Sequence, residues 1–204
     1  MFIIGITGGT GAGKTTALRA LEALGALTLD CDAIYHDLLT SNAQLSSELS
    51  ACFTAASHDG VTDLKQLGET VFNDPTALLE LNAITHKYVG EEVMRQIADW
   101  TLKGGKVVAI DAIALIESGI AEKCDVVVGI TAPEEIRILR IMKRDGITHK
   151  QAKMRINAQK PDNYYAQHCN CLLEGNSELA EFEKECKDFF TRLLKRQGDN
   201  NNDG

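Results

Sequence analysis

The sequence predicts an α/β protein in which a parallel sheet lies between layers of helices, and three observations carry that prediction. An apolar run at Phe2–Ile6 leads straight into a glycine-rich loop. The apolar periods that follow alternate between strand and helix, as crossover connections in a parallel sheet require. Acidic residues stand at or just beyond the ends of other candidate strands, at Asp30, Asp32 and Asp111, and open sheets of this kind gather ligands at the carboxyl ends of their strands.

The loop names a chemistry. Gly8 to Thr15 reads GGTGAGKT and fits G-x-x-x-x-G-K-[ST], the phosphate-binding pattern. Its glycines let the backbone turn successive N–H groups onto phosphate oxygens. The nucleotide-binding candidates are therefore Gly8, Gly9, Thr10, Gly11, Ala12, Gly13, Lys14, Thr15 and Thr16. Lys14 would place a point charge at the β/γ-phosphates, and the Thr15 hydroxyl would be a Mg²⁺ ligand. The helix predicted over Lys14–Leu24, with Ala17, Leu18, Leu21 and Leu24 on one face, aims the positive end of its dipole at the same anion.

Beyond it, Ala26–Leu29 reads as a short strand and Ala33 to about His58 as mixed helix. Asp59-Gly60 marks a turn, and Asp74-Pro75 opens a long helix to Leu102. Val107–Asp111 and Val126–Ile130 are buried strands, and Pro133 begins the next helix. Leu179, Phe182, Cys186, Phe189, Leu193 and Leu194 outline an amphipathic last helix. Together with the loop, this order predicts a P-loop NTPase/kinase-like three-layer fold. A single domain is expected over 1–196, with a mostly helical region at 33–103, a lid at 137–160 and a disordered polar tail at 197–204.

The 204 residues carry a net charge of −8, which argues against general nucleic-acid binding. No apolar run reaches membrane-spanning length and the N-terminus has no basic leader, so a cytoplasmic protein with a small-molecule substrate and no obligate protein partner is expected. Six scattered cysteines are expected to be reduced thiols. Cys169-x-Cys171 invites a metal reading, but no second ligand pair stands at zinc spacing, and alternate residues of a short strand or loop explain it better.

Charge is local, however. Between Arg137 and Lys160 eight basic residues face one acid, Asp145, a window of +7. Such a run is either a solvated helix face or a lid that closes over phosphates, and the phosphate loop favours the lid. Arg140 and Arg144 are four apart and share a helix face, so they could clamp a transferring phosphoryl group, and Thr148 would cap a second lid helix. Asp30 and Asp32 would point the same way if the strand continued. Asp32 could serve as general base for an acceptor hydroxyl or cap the following helix. Asp111 could support Mg²⁺ or end a turn. The catalytic candidates are Asp32, Lys14, Arg140 and Arg144, and the metal candidates Thr15 and Asp111. His86, alone on the long helix, reads as a packed or surface residue.

Taken together these residues resemble the dephospho-coenzyme A kinase family. The likeness runs from Phe2 to about Leu194: TGGTGAGKTT at Thr7–Thr16, LDCDAI at Leu29–Ile34, DG at Asp59–Gly60, VFNDP at Val71–Pro75 and LNAITH at Leu81–His86. IDAIALIESG at Ile110–Gly119, RIMKRDGIT at Arg140–Thr148 and Gln159 at the end of the lid complete it. The resemblance implies phosphorylation of the ribose 3′-hydroxyl of dephospho-CoA by ATP and Mg²⁺, with Asp32 as the base. Lys14 and Thr15 would hold phosphates and metal, Arg140 and Arg144 would be lid arginines, and the helices to Trp100 an acceptor-binding subdomain. The chain departs from the family pattern at Lys87 and Ile113, where prolines are usual, and at Asn170 and Gly175, where an Asp and an Asn are. Another small-molecule or nucleoside kinase, or a degenerate nucleotide-binding regulator, are the alternatives. The N-K-x-D motif of GTPase switches is missing from the sequence.

Overall fold

The computed structural model describes residues 1–58 and 61–200. In chain order its elements are β1 (Phe2–Thr7), α1 (Lys14–Ala23), β2 (Leu27–Asp30), α2 (Cys31–Ser41), α3 (Ala43–Cys52), β3 (Ser57–His58), β4 (Val61–Thr62), α4 (Leu64–Asn73) and α5 (Pro75–Leu102). There follow β5 (Val107–Asp111), β6 (Val126–Thr131), α6 (Glu134–Asp145), α7 (His149–Asn157), α8 (Asp162–His168), β7 (Cys171–Glu174) and α9 (Leu179–Asn200). The predicted turn at Asp59-Gly60 and residues 201–204 of the predicted tail lie outside the described residues. The chain forms two compact units, Asp30–Leu102 and the remainder.

The larger unit is built on a five-stranded sheet of order β2-β5-β1-β6-β7. β1 runs parallel to β5, with Phe2 opposite Val107, and to β6, with Ile4 opposite Val126; β6 runs parallel to β7. Strands covered on both faces read as continuous apolar runs rather than alternating ones, and FIIGIT, VVAID and VVVGIT are such runs. The chain returns across β1 between β5 and β6, so the loop after β1 stands at the point where strand order reverses, the position where open sheets bind ligands. Leu21 of α1 packs with Phe182, Cys186 and Phe190 of α9 over Ile4, Ile6, Val128 and Ile130. α9 continues to Asn200 rather than giving way to a tail at 197: a helix already nucleated by its docked face adds polar residues at little cost. No helix among the described residues is long and apolar enough to cross a membrane.

α6 and α7 form a helix–turn–helix. Gly146 ends α6 in a left-handed conformation, its N–H donating to the Met142 carbonyl, and Thr148 and Gln151 form a capping box at the start of α7. Ile138, Ile141, Ala152 and Ile156 give the pair a small core of its own.

In the Asp30–Leu102 unit every helix opens on a capping side chain. Asn42, Asp63 and Asp74 accept from first-turn amides of α3, α4 and α5. α2 is capped by Asp30, which accepts from the amides of Asp32 and Ala33. The cap weighed as the alternative role of Asp32 falls instead to Asp30, and the strand does not continue through the acidic pair. The strand stops at Asp30, whose extended backbone lets its carboxylate reach forward, and Asp32 lies on the exposed first turn of α2. α5 runs unbroken for 28 residues; a proline at the Lys87 position would delete an amide and crowd the preceding turn, whereas Lys87 pairs with Glu48 at 3.6 Å. The neighbouring Tyr88 hydroxyl donates to the same carboxylate at 2.7 Å.

Truncating Leu21, fully buried beneath α9, removes contacts that the fixed sheet cannot replace. We expect Leu21→Ala to lower unfolding stability by about 2–5 kcal/mol, read as a fall in the urea midpoint at unchanged slope.

Candidate phosphate-transfer site

The loop from Gly8 to Gly13 joins the carboxyl end of β1 to the N-terminus of α1. Gly8 has φ +141° and a side chain there would sit 2.1 Å from the Ile130 carbonyl oxygen, so the chain can turn off the sheet only as glycine. Gly13, at φ +118°, caps α1 without any side-chain hydrogen bond, and Phe182 lies directly against it. The first turn of α1 is thus left without a side-chain acceptor, which is what an anion site at a helix N-terminus needs. Lys14 Nζ donates to the Gly8 carbonyl at 2.9 Å and so spans the loop. Thr15 is exposed on that first turn, and Thr16 is buried behind it.

The helix α6 brings three arginines to this loop from one face. Arg140 donates through Nη1 to the carbonyls of Gly11, at 3.3 Å, and Ala12, at 3.1 Å. Arg144 reaches the Thr10 hydroxyl at 3.4 Å. Arg137, which sequence reasoning counted only as one charge of the basic run, is 4% exposed and touches the Thr10 carbonyl at 3.0 Å. Its signal was present: positions 137, 140 and 144 follow the i, i+3, i+7 rhythm of one helix face. Because a peptide is planar and trans, a carbonyl held by an arginine sends the next residue's N–H the opposite way. Arg140 on Ala12 therefore turns the Gly13 amide away from α6.

Arg144 is itself held by its neighbour. Asp145 receives Arg144 at 2.6 and 2.9 Å and Arg155 of α7 at 2.5 Å. The hydrogen bonds from Arg144, with the charges of Arg144 and Arg155, hold the Asp145 carboxyl below its ordinary range. Lys153 is taken by Glu134 at 2.9 Å, so part of the basic window is internally paired and the arginine stripe faces the loop.

Asp111 ends β5 in register with Ile6 of β1, one strand from the loop. Thr15 and Asp111 offer oxygen donors, the type Mg²⁺ prefers. No group of three or more potential metal ligands occurs among the described residues. A pair of oxygen donors beside a phosphate loop fits an ion that keeps waters and phosphate oxygens as its other ligands. Cys169 follows α8 and Cys171 opens β7; burial raises the Cys169 thiol to about 11 and those of Cys124 and Cys186 to about 12.

Beside the loop lies a cleft of ≈ 430 Å³ lined by Gly13, Thr16, Arg140, Asn176, Ser177 and Phe182 among others. Of the two departures near β7, Gly175 borders the loop, whereas Asn170 stands at the opposite, amino end of the strand. Asn170 accepts from the Val127 amide at 2.7 Å while its own amide donates to the Val127 carbonyl, and Gly175 lies so close to the loop that a Cβ would be 2.4 Å from the Ala12 oxygen. At the Ile113 departure the carbonyl accepts from the buried Thr7 hydroxyl at 3.2 Å.

A loop of this build, at the switch point of a parallel sheet and overlain by an arginine-bearing helix pair, defines the phosphate-loop kinases as a class. Within that class the chain belongs to the dephospho-CoA kinase family, whose model matches residues 2–181. It is 35% identical over 188 residues to the dephospho-CoA kinase of Dehalococcoides mccartyi, covering 91% of this chain and 94% of that one. The dephospho-CoA kinase of Thermobifida fusca is 31% identical, with 96% and 98% covered. The solved dephospho-CoA kinase of Campylobacter jejuni superposes with a TM-score of 0.69 at 26% identity, over 96% of this chain and 98% of that chain. Membership of a kinase family on this fold carries with it the use of ATP.

Asp145 makes the α6–α7 pair sensitive to acid. Its pKa is depressed in the folded state, so its contribution is full above the unfolded carboxylate value near about 3.9 and fades as pH falls through the lower folded value. Urea unfolding should find the parent more stable than Asp145→Asn by a constant margin above about pH 4, with the two converging in stronger acid.

Proposed function

We propose that the chain transfers the γ-phosphoryl group of ATP to the ribose 3′-hydroxyl of dephospho-CoA, yielding CoA and ADP. The observation that carries this reading is the glycine loop leading into an α1 N-terminus that no side chain caps, spanned by Lys14 and gripped by α6. Family membership names the acceptor.

Phosphoryl transfer asks a protein mainly to position two oxygens in line and to neutralise charge on the moving group. The loop from Gly8 to Thr16 wraps the phosphates and offers them main-chain amides, with Gly9, Thr10, Gly11 and Ala12 shaping the turn. In that turn the Thr10 and Ala12 N–H groups go to Gln159 and Gly9 instead. Lys14 exchanges the Gly8 carbonyl for β/γ oxygens. Arg140 fixes the Gly11 and Ala12 carbonyls and, with Arg144, brings positive charge to the loop. Thr15 and Asp111 would hold Mg²⁺, which when bound offsets phosphate charge. The cleft beside Gly13 and Phe182 takes the purine. Asp32, whose carboxylate is exposed on the first turn of α2 while Asp30 is committed to capping, accepts the proton of the acceptor hydroxyl. The hydroxyl oxygen bonds to the γ-phosphorus, the bond from that phosphorus to the β,γ-bridging oxygen breaks, and ADP leaves.

The test is ADP formation from ATP with and without dephospho-CoA, with mass analysis of the product. We expect dephospho-CoA to stimulate turnover and to gain one phosphoryl group. Lys14→Ala should abolish turnover. Asp32→Asn should lower kcat by about 10²-fold or more, the usual contribution of a positioned base, while ATP affinity changes little. Near-normal kcat in Asp32→Asn would remove Asp32 from that role.

A further inference from the structure

Arg137 is the one charged residue buried among the described residues, and the mechanism above does not use it. A buried guanidinium persists only where its donors are satisfied, and the partners here lie on two separate pieces of chain. Nε donates to the Thr10 carbonyl at 3.0 Å. Nη1 meets Asp162, the first residue of α8, at 3.2 Å, and Nη2 meets Gln159 Oε1 at 3.3 Å. The same Gln159 oxygen accepts from the Thr10 amide at 2.8 Å. Thr10 is therefore held at both its N–H and its C=O, by two side chains that also hold each other.

The geometry matters because Thr10 stands between glycines. Gly9-Thr10-Gly11-Ala12 is a turn closed by the Ala12 amide on the Gly9 carbonyl at 3.2 Å, and flanking glycines leave its outer peptides free to rotate. Gly9 is also where a side chain would collide with Arg137, its Cβ falling 2.1 Å from Nη2. With the Thr10 carbonyl pinned by Arg137, the trans peptide sends the Gly11 N–H in the opposite direction, as Arg140 does for Gly13. With the Thr10 amide given to Gln159, that amide is not offered to phosphate.

We propose that Arg137 and Gln159 are positioning residues that latch the outer corner of the phosphate loop to the segment joining α7 to α8, and so set the affinity for the triphosphate. The inference rests on the reading that this loop holds ATP. The latch fixes the amides that meet phosphate before ATP arrives, and release of the α7–α8 segment would loosen the loop. ATP affinity then depends on a connection that touches no part of the nucleotide.

The experiment compares the parent with Gln159→Leu, Arg137→Met and the double variant. Each is characterised by calorimetric titration with ATP alone, by KM for dephospho-CoA, and by urea unfolding. Gln159 is only partly buried, so its variant keeps the test valid if Arg137→Met fails to fold. We expect Gln159→Leu to weaken ATP binding by about tenfold, because the part-buried Thr10 amide loses its acceptor, with KM for dephospho-CoA within about twofold. The double variant should bind ATP no more than about twofold worse than Arg137→Met, since parts of one unit are not additive. ATP binding by Gln159→Leu within about twofold of the parent overturns the latch, whatever its urea midpoint. So do losses that add in full, or an equal weakening toward the acceptor. Because the titration uses ATP alone, it stands apart from whether dephospho-CoA is the acceptor.

Discussion

Everything at this site depends on how closely backbone approaches backbone around the loop after β1. Gly8 lies on the carbonyl of Ile130, Gly13 on the ring of Phe182, and Gly175 on the carbonyl of Ala12. At each place a methyl group would overlap an atom of the sheet, of α9 or of the loop itself. The base of the loop is therefore located by direct contact with β6, with the Phe182 ring of α9 and with the segment after β7, while Arg137, Arg140 and Gln159 hold its outer corner. A phosphate cradle needs amides held to within a fraction of an ångström, and packing main chain against main chain is the stiffest way to hold them. The departure at Gly175 follows from this constraint: in this chain no side chain fits between the end of β7 and Ala12.

Charge is arranged by the same logic. The chain as a whole is acidic, yet α6 presents a row of arginines to the one loop that has to meet a polyanion. Two of them, Arg137 and Arg140, hold loop carbonyls, which directs positive potential and backbone amides onto the same volume. Asp145 gathers Arg144 of α6 and Arg155 of α7, so the acid that interrupts the basic run is what lets like charges sit together.

Much of this could be read in the sequence, for physical reasons that differ by element. The loop and its helix were legible because glycine, lysine and threonine at fixed spacing have few other uses, and α5 because Asp74-Pro75 and Gly104-Gly105 bracket it sharply. The strands were legible because burial on both faces leaves no polar interruption. The cap of α2, weighed only at Asp32, falls to Asp30 because both are equally good capping residues and only the backbone angle at the end of β2 selects between them. The end of α9 was misread because composition says where a helix stops gaining contacts, not where it stops. Arg137 was overlooked because burial of a charge depends on Gln159 and Asp162, more than twenty residues away in the chain, and no local pattern announces that partnership.

The order of strands has a consequence for how the protein comes into being on the ribosome. β1 leaves the tunnel well before its partners, yet it lies in the middle of the sheet and is flanked by strands beginning at Val107 and Val126. It must wait, apolar and unpaired, while the whole Asp30–Leu102 unit, with its own core, is made and can condense. Phe182, which braces Gly13, belongs to α9, which appears later than all of these strands. The nascent chain therefore carries its nucleotide motif long before it completes the support for it, so a polypeptide that stops short of α9 lacks the finished cradle.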